Sequence, residues 1–286
     1  MKIGIGLPAT IPGVKPEFVL EWARKSDEGH FSTLGVLDRL VYSNYESMIT
    51  LAAVAGITQR VRLMTTILIP PLRNAGVLAK QAATLDVISG GRLTLGVAVG
   101  SREDDFLVAP ALYKGRGKRF EEQLALMKRI WSGEPVGEGV GPVGPPPHQS
   151  GGPELLIGGV SPKAISRVGR WANGFISPGS PDSLRDAYAI AEESWKAAGR
   201  EGKPRLVGAA YYSLGPDAKE KGLGYLRDYY AYMGPAVDYM TQTLIATPEA
   251  VRGTIEAFSG IEMGELIFWP TVPDTDQVDR LAEIVG

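Results

Sequence analysis

Apolar residues along this chain follow two alternating rhythms. Short runs rich in Val, Ile and Leu occupy residues 2–7, 33–37, 61–68, 92–98, 154–157, 174–177, 205–212 and 264–268. Each has the length and continuity of a strand buried on both faces. Between them lie stretches with the 3.6-residue spacing of amphipathic helices: Phe18, Leu20 and Trp22 in the first, Met48, Leu51, Ala52 and Ala55 in the second, and Phe120, Leu124, Met127 and Trp131 in the fourth. Such alternation from end to end predicts a parallel sheet whose strands are joined by helices. Eight pairs exceed what a six-stranded open sheet needs, so the pattern favours a closed α/β (β/α)8 TIM barrel, one domain over residues 1–286.

Two segments break the rhythm. Residues 133–152 hold a dense mixture of Gly and Pro, including Pro145-Pro146-Pro147, which neither a helix nor a strand interior accepts, and predict an extended loop. Residues 223–246 crowd Tyr225, Tyr229, Tyr230, Tyr232 and Tyr239 into a helical insertion between the seventh and eighth strands. Aromatic groups of this kind serve packing or binding. Here they follow the C-terminal end of a strand, where barrels build their sites, and form a candidate substrate wall.

Composition narrows the chemistry. Hydrophobic residues make up 44% of the chain and charged residues 22%, enough for a large core and a charged surface. The formal charge is −2, and no run of five like charges marks a nucleic-acid or membrane patch, so the expected partner is a small-molecule substrate. Cysteine is absent, which removes disulfides, thiolate metal sites and cysteine nucleophiles. The two histidines, His30 and His148, lie far apart and offer little to a zinc site or a serine–histidine triad. The N-terminal residues have no basic start before an apolar core, and no run approaches the length of a membrane span; a cytoplasmic location is the resulting expectation.

Several strand ends carry candidate chemistry. In Leu155-Leu156-Ile157-Gly158-Gly159-Val160-Ser161-Pro162-Lys163 an apolar strand runs into paired glycines, then into Ser as N-cap and Pro at the first helical position. The turn could cradle a phosphate on free backbone N–H groups, or be an ordinary tight strand-to-helix turn. Residues Thr65-Thr66-Ile67-Leu68-Ile69-Pro70-Pro71-Leu72-Arg73-Asn74 end a strand in a proline-stiffened turn that suits the edge of a planar ligand or simply a rigid loop. The fourth strand ends in Val99-Gly100-Ser101-Arg102 and three carboxylates, Glu103, Asp104 and Asp105, which read as mouth chemistry or as an acidic helix start. Asp38-Arg39 closes the second strand, either as a charged pair facing the mouth or as a plain surface ion pair.

Taken together these stretches resemble the luciferase-like monooxygenase superfamily, the bacterial luciferase type of flavin- or deazaflavin-dependent oxidoreductase. The resemblance runs through Val61 to Phe106, including Ala79-Lys80-Gln81-Ala82-Ala83-Thr84-Leu85-Asp86 and Ser89-Gly90-Gly91-Arg92-Leu93, and returns in Ile157-Gly158-Gly159 and Arg170-Trp171-Ala172-Asn173-Gly174-Phe175. It implies a bacterial luciferase-like barrel that binds FMN or coenzyme F420, acts as a monooxygenase or a hydride-transfer enzyme, and forms a homodimer. It further implies a non-prolyl cis peptide at Thr66-Ile67 against the cofactor ring, Asp38 near the ring, and Val99, Gly100 and Ser101 beside the ring or its side chain. Gly158, Gly159 and Val160 would meet the phosphate, helped by Ser177. Many members carry His where this chain has Arg39, so a proton-transfer role at that position does not carry over. That difference keeps open a second reading, a non-catalytic flavin-binding barrel or partner subunit. The chain is also short for the family, which implies a reduced lid.

Overall fold

In the computed structural model, which describes residues 1–286, strands form at Lys2–Gly6 (β1), Thr33–Val36 (β2), Arg62–Leu68 (β3), Leu93–Val97 (β4), Glu154–Gly158 (β5), Gly174–Pro178 (β6), Arg205–Tyr212 (β7) and Glu265–Pro270 (β8). The first helices are Pro16–Glu28 (α1), Ser47–Ala55 (α2), Ala75–Ile88 (α3), Glu103–Val108 (α4) and Arg116–Trp131 (α5). Beyond β5 come Pro162–Ile165 (α6), Arg167–Trp171 (α7), Pro181–Ala197 (α8), Ala218–Tyr229 (α9), Val237–Gln242 (α10), Pro248–Ser259 (α11) and Asp276–Val285 (α12). The strands pair in parallel and in sequence order, and β8 returns to β1 with Gly4 opposite Ile267, closing the barrel. The expected (β/α)8 architecture is therefore present, with strand limits shifted by one or two residues. No helix is long and apolar enough to cross a membrane.

The helices bury the stripes that their periodicity predicts, with two corrections. In α1 the inward face is Val19, Trp22 and Ala23, and Phe18 and Leu20 are only half-buried at its margin. In α2 the buried set is Met48, Leu51, Val54 and Ala55, while Ala52 faces outward. That helix is apolar all round, so periodicity could not separate its inside from its outside.

The two faces of the barrel differ in kind. At the N-terminal end a polar layer crosses the interior. Arg205 pairs with Glu154 at 2.5 Å and with the fully buried Glu265, Thr94 donates to Glu154 at 2.8 Å, and Arg62 Nη2 donates to the Thr94 hydroxyl at 2.8 Å. The Gly- and Pro-rich residues 133–152 carry no helix or strand. Gln149 ties the segment to Asp86 through its backbone N–H (2.8 Å) and side-chain amide (2.6 Å), following the C-terminal end of α5 and away from the mouth. At the C-terminal end, β3 breaks register against β4 between Thr65 and Leu68. There the Thr65 hydroxyl donates to the Gly96 carbonyl (2.8 Å) and the Thr66 hydroxyl to that of Val36 (3.1 Å), so side chains replace the interrupted ladder on both sides.

Candidate active site

Asp38 follows β2 and is an anchor. Arg73 Nη1 and Nη2 donate to its two carboxylate oxygens at 2.7 Å each, the Ile69 N–H donates at 3.0 Å and the Ser47 hydroxyl at 3.1 Å. The side chain is 3% exposed. With both oxygens engaged by a bidentate guanidinium and two further donors, the carboxylate fixes the turn after β3 and has no open position for proton transfer. The sequence pair Asp38-Arg39 does not form an ion pair: the partner is Arg73, from the proline-stiffened turn.

Arg39 points instead into the tyrosines. Its guanidinium carbon lies 4.4 Å from the Tyr42 ring centre, 4.9 Å from that of Tyr229 and 5.4 Å from that of Tyr232, and Nη1 donates to the Tyr229 carbonyl at 2.6 Å. Tyr232 also meets Arg102, whose guanidinium carbon lies 4.1 Å from its ring centre. Tyr232 of the insertion after β7 thus contacts cations from the loops after both β2 and β4. Arg102 also pairs with Asp104, and its Nε lies 3.7 Å from Asp105. Asp105 in turn accepts from the N–H groups of Leu40 (3.1 Å) and Val41 (2.8 Å). Glu103, Asp104 and Asp105 do form the first turn of α4, but Asp105 also staples the β2 loop.

Four of the five crowded tyrosines lie in α9, in the 3-10 turn after it or at their junction, whereas Tyr239, expected with them, sits in α10 and is 61% exposed. Tyr225 and Tyr229 stack with centres 5.7 Å apart, Tyr225 shares a hydrogen bond of 2.8 Å with Thr10, and the hydroxyls of Tyr211 and Tyr230 meet at 2.7 Å. Burial pushes the phenols of Tyr211, Tyr225 and Tyr229 well above the ordinary tyrosine range and that of Tyr230 up to about 12. Near neutral pH these groups are therefore neutral hydrogen-bonding walls.

The remaining candidates follow one arc of the mouth from β2 to β6. The bond between Thr66 and Ile67 is cis, where the resemblance placed it. Across the mouth, a Cβ at Gly158 would overlap Ile67 Cδ1, and one at Gly159, whose φ is +152°, would stand 2.6 Å from the Ala164 methyl. A side chain at either of the paired glycines would thus meet protein neighbours, as the tight-turn alternative in the sequence requires. A side chain introduced at Gly159 would meet Ala164 first. Val99 is half-buried, Gly100 receives Arg116 Nε on its carbonyl at 2.8 Å, and Ser101 is exposed. Ser177 is buried, with its hydroxyl turned to the Pro178 carbonyl at 3.1 Å. Val160 is 87% exposed, an apolar side chain left in the open beside the β5 turn.

The expected helix N-terminus after that turn is a single turn, α6, capped by Ser161, whose hydroxyl accepts from the Ala164 N–H at 3.2 Å. What the turn does offer is three successive N–H groups, of Gly159, Val160 and Ser161, none engaged by a protein acceptor. These amides, beside the exposed Val160 side chain, are open to a ligand or to solvent.

Sequence reasoning missed two contributors. Arg73 shows no local sign of its pairing with Asp38. Trp269 lies across the mouth end of the barrel so closely that a Cβ at Gly6 would overlap its ring and one at Gly35 would come within 3.1 Å. Glycines inside the first two strands signalled a close approach there, though not by which residue.

The fold has close counterparts among solved structures. An F420-dependent secondary alcohol dehydrogenase, in complex with an F420–acetone adduct, superposes with a TM-score of 0.85 at 20% identity over 99% of this chain and 98% of its own. The oxygenating constituent of a 3,6-diketocamphane monooxygenase from Pseudomonas putida, in complex with FMN, gives 0.78 at 18% identity over 100% and 96%. In sequence, an uncharacterised protein of Mycobacterium tuberculosis is 31% identical over 167 residues, 56% of this chain and 59% of the relative. A phthiodiolone/phenolphthiodiolone dimycocerosates ketoreductase of the same organism is 31% identical over 146 residues, 47% of this chain and 38% of the relative. The chain thus spans less than two thirds of the length of these curated relatives. The family model for luciferase-like monooxygenases matches residues 1–259, all but the last strand and helix, and the chain therefore belongs to that family.

Proposed function

We propose that the protein is an oxidoreductase that binds FMN or coenzyme F420 along the arc from β2 to β6 and acts on a small organic substrate beneath the tyrosines. The observation that carries this reading is the meeting of Ile67 with Gly158 beside the three free amides of Gly159, Val160 and Ser161. Such a cofactor supplies the hydride or oxygen chemistry when bound. The protein's part is placement. Ile67 and Val99 would contact the ring, Gly100 and Ser101 would line its approach, the amides would receive the phosphate, and Asp38 would hold the β3 turn rigid through Arg73. Arg39 and the tyrosines would exclude water above.

Titrating the protein separately with FMN and F420, followed by ligand fluorescence, should give saturable one-site binding to one of them. Failure of both would overturn the reading. One observation favours the alternative of a non-catalytic flavin-binding barrel: Asp38 is saturated and Arg39 lies in an aromatic cage, so neither is placed to exchange a proton. Binding with no oxidation or reduction across a panel of ketones, alcohols and aldehydes would support that alternative.

We also propose a homodimer built through the outer faces of α2 and α3. No charged residue occurs in α2, and its outward positions are Ile49, at 68% exposure, Ala52 and Ala53; α3 adds Val77 and Ile88. The outward Lys80 of α3 turns its ammonium to the Gly144 carbonyl at 2.7 Å. A largely apolar face, its Lys80 ammonium bonded to a carbonyl of the same chain, suits burial against a second copy about a two-fold axis. Sedimentation should show a dimer, and Ile49→Glu with Val77→Glu should shift it to monomer; a monomeric parent protein would rule the dimer out.

A further inference from the structure

Beside the β5 turn, between the start of α5 and the α6–α7 segment, a cleft of about 690 Å³ runs outward from Val99 and Ser161. Its walls carry five cations, Arg116, Lys118, Lys163, Arg167 and Arg170, against two carboxylates, Glu121 and Glu122, a local excess of three positive charges in a chain whose formal charge is −2. The carboxylates are already engaged: Arg167 Nε bonds Glu121 at 2.9 Å, and Lys118 lies 3.7 Å from Glu122. Arg116 rests on the Tyr113 ring at 3.7 Å and donates to the Gly100 carbonyl, while Lys163 and Arg170 are exposed along the rim.

The start of α5 points the same way. Helices gain stability from acids in the first turn and lose it from cations there. Yet α5 begins Arg116-Gly117-Lys118-Arg119 with no acid in its first turn, and its N-cap, Gly115, provides no side-chain cap. Three cations at the positive end of a sixteen-residue helix oppose its dipole, and no carboxylate of the fold neutralises them as a group. Ser161, the last of the three residues with free amides, lines the same cleft, and Gly159 and Val160 precede it in the β5 turn. Amides suited to one phosphate lead into a channel with positive charge to spare for several more anionic groups.

We infer that the cleft receives an acidic chain continuing outward from the cofactor's phosphate. This rests on the flavin-type reading above and selects within it. FMN ends at its phosphate and leaves the cleft unused, whereas F420 continues through a phosphodiester into a tail of linked carboxylates. The chain is thus built for the deazaflavin.

The test compares equilibrium binding of F420, FMN and the deazaflavin riboside that lacks phosphate and tail, at low and at moderate salt. F420 should bind at least about tenfold more tightly than FMN at low salt, and that ratio should shrink as salt rises. The double charge reversal Lys163→Glu with Arg170→Glu, at exposed positions, should lower the F420-to-FMN affinity ratio about tenfold at an unchanged melting temperature. Oligoglutamate added as a free competitor should displace F420 more effectively than inorganic phosphate does. Equal affinities for F420 and FMN, or a ratio indifferent to the double reversal, would overturn the assignment of the cleft and leave the flavin-type reading intact. Failure to bind any of the three would instead overturn that reading.

Discussion

Between pH 10 and 11 the folded protein should lose on the order of 5 kcal/mol of stability, enough to unfold a domain of ordinary stability. The cause is four buried phenols, Tyr211, Tyr212, Tyr225 and Tyr229, each held neutral by burial well above the usual tyrosine range. Once unfolded, the same side chains ionise near pH 10. Above that pH the unfolded chain binds fewer protons than the folded one, so stability falls as pH rises, while below pH 10 the contribution is complete. Each phenol removes about 1.4 kcal/mol per pH unit until its folded-state value is reached. Urea denaturation at pH 8, 10 and 11, with tyrosinate absorbance recorded in parallel, measures this directly. The absorbance step should coincide with unfolding. Titration of these tyrosines near pH 10 with the fold intact would contradict it.

Replacing Asp38 by Ala should destabilise the protein by about 3 kcal/mol, because it removes one partner of a buried bidentate pair and leaves the Arg73 guanidinium and the Ile69 N–H short of acceptors. Arg73 keeps Glu46, at 3.0 Å, which limits the loss. Adding Arg73→Met to Asp38→Ala should restore much of it, since a methionine carries no charge to strand. Cofactor affinity should fall with the single change, as the turn after β3 loosens around Ile67. Chemical denaturation of the two single variants and the double variant gives the coupling energy. A coupling near zero, with stability unchanged in Asp38→Ala, would show that the carboxylate is not the anchor described.

The barrel was legible because its strands are buried on both faces. Runs such as Leu155 to Ile157 and Leu266 to Phe268 are apolar without interruption and could be counted. Even Gly174–Pro178, short and with few apolar residues, stands where alternation required a strand. What escaped was everything set by a distant partner. Asp38 and Arg39 are adjacent in sequence yet face different neighbours, because the partner of Asp38 lies 35 residues away. The glycines at 158 and 159 marked a close approach correctly but could not say that Ile67 and Ala164 make it. Ala52 was placed inward because a helix apolar on every side has no directional pattern. The cis bond at Thr66-Ile67 came from resemblance alone, since no residue type there demands it. The cationic start of α5 was present in the sequence as Arg116-Gly117-Lys118-Arg119, and only the cleft beside it gave that run a purpose.

The polar layer of Glu154, Arg205, Glu265 and Thr94 lies at the opposite end of the barrel from the mouth. Its hydrogen bonds and those of the mouth share no residue, so the two ends are free to vary independently. Substitutions among the loops after β2, β4 and β7 can reshape what the site accepts and leave the network that fastens the strands untouched. A lineage of such barrels can accordingly acquire new substrates by small local steps, each drawing on a reserve of stability held at the far end of the molecule.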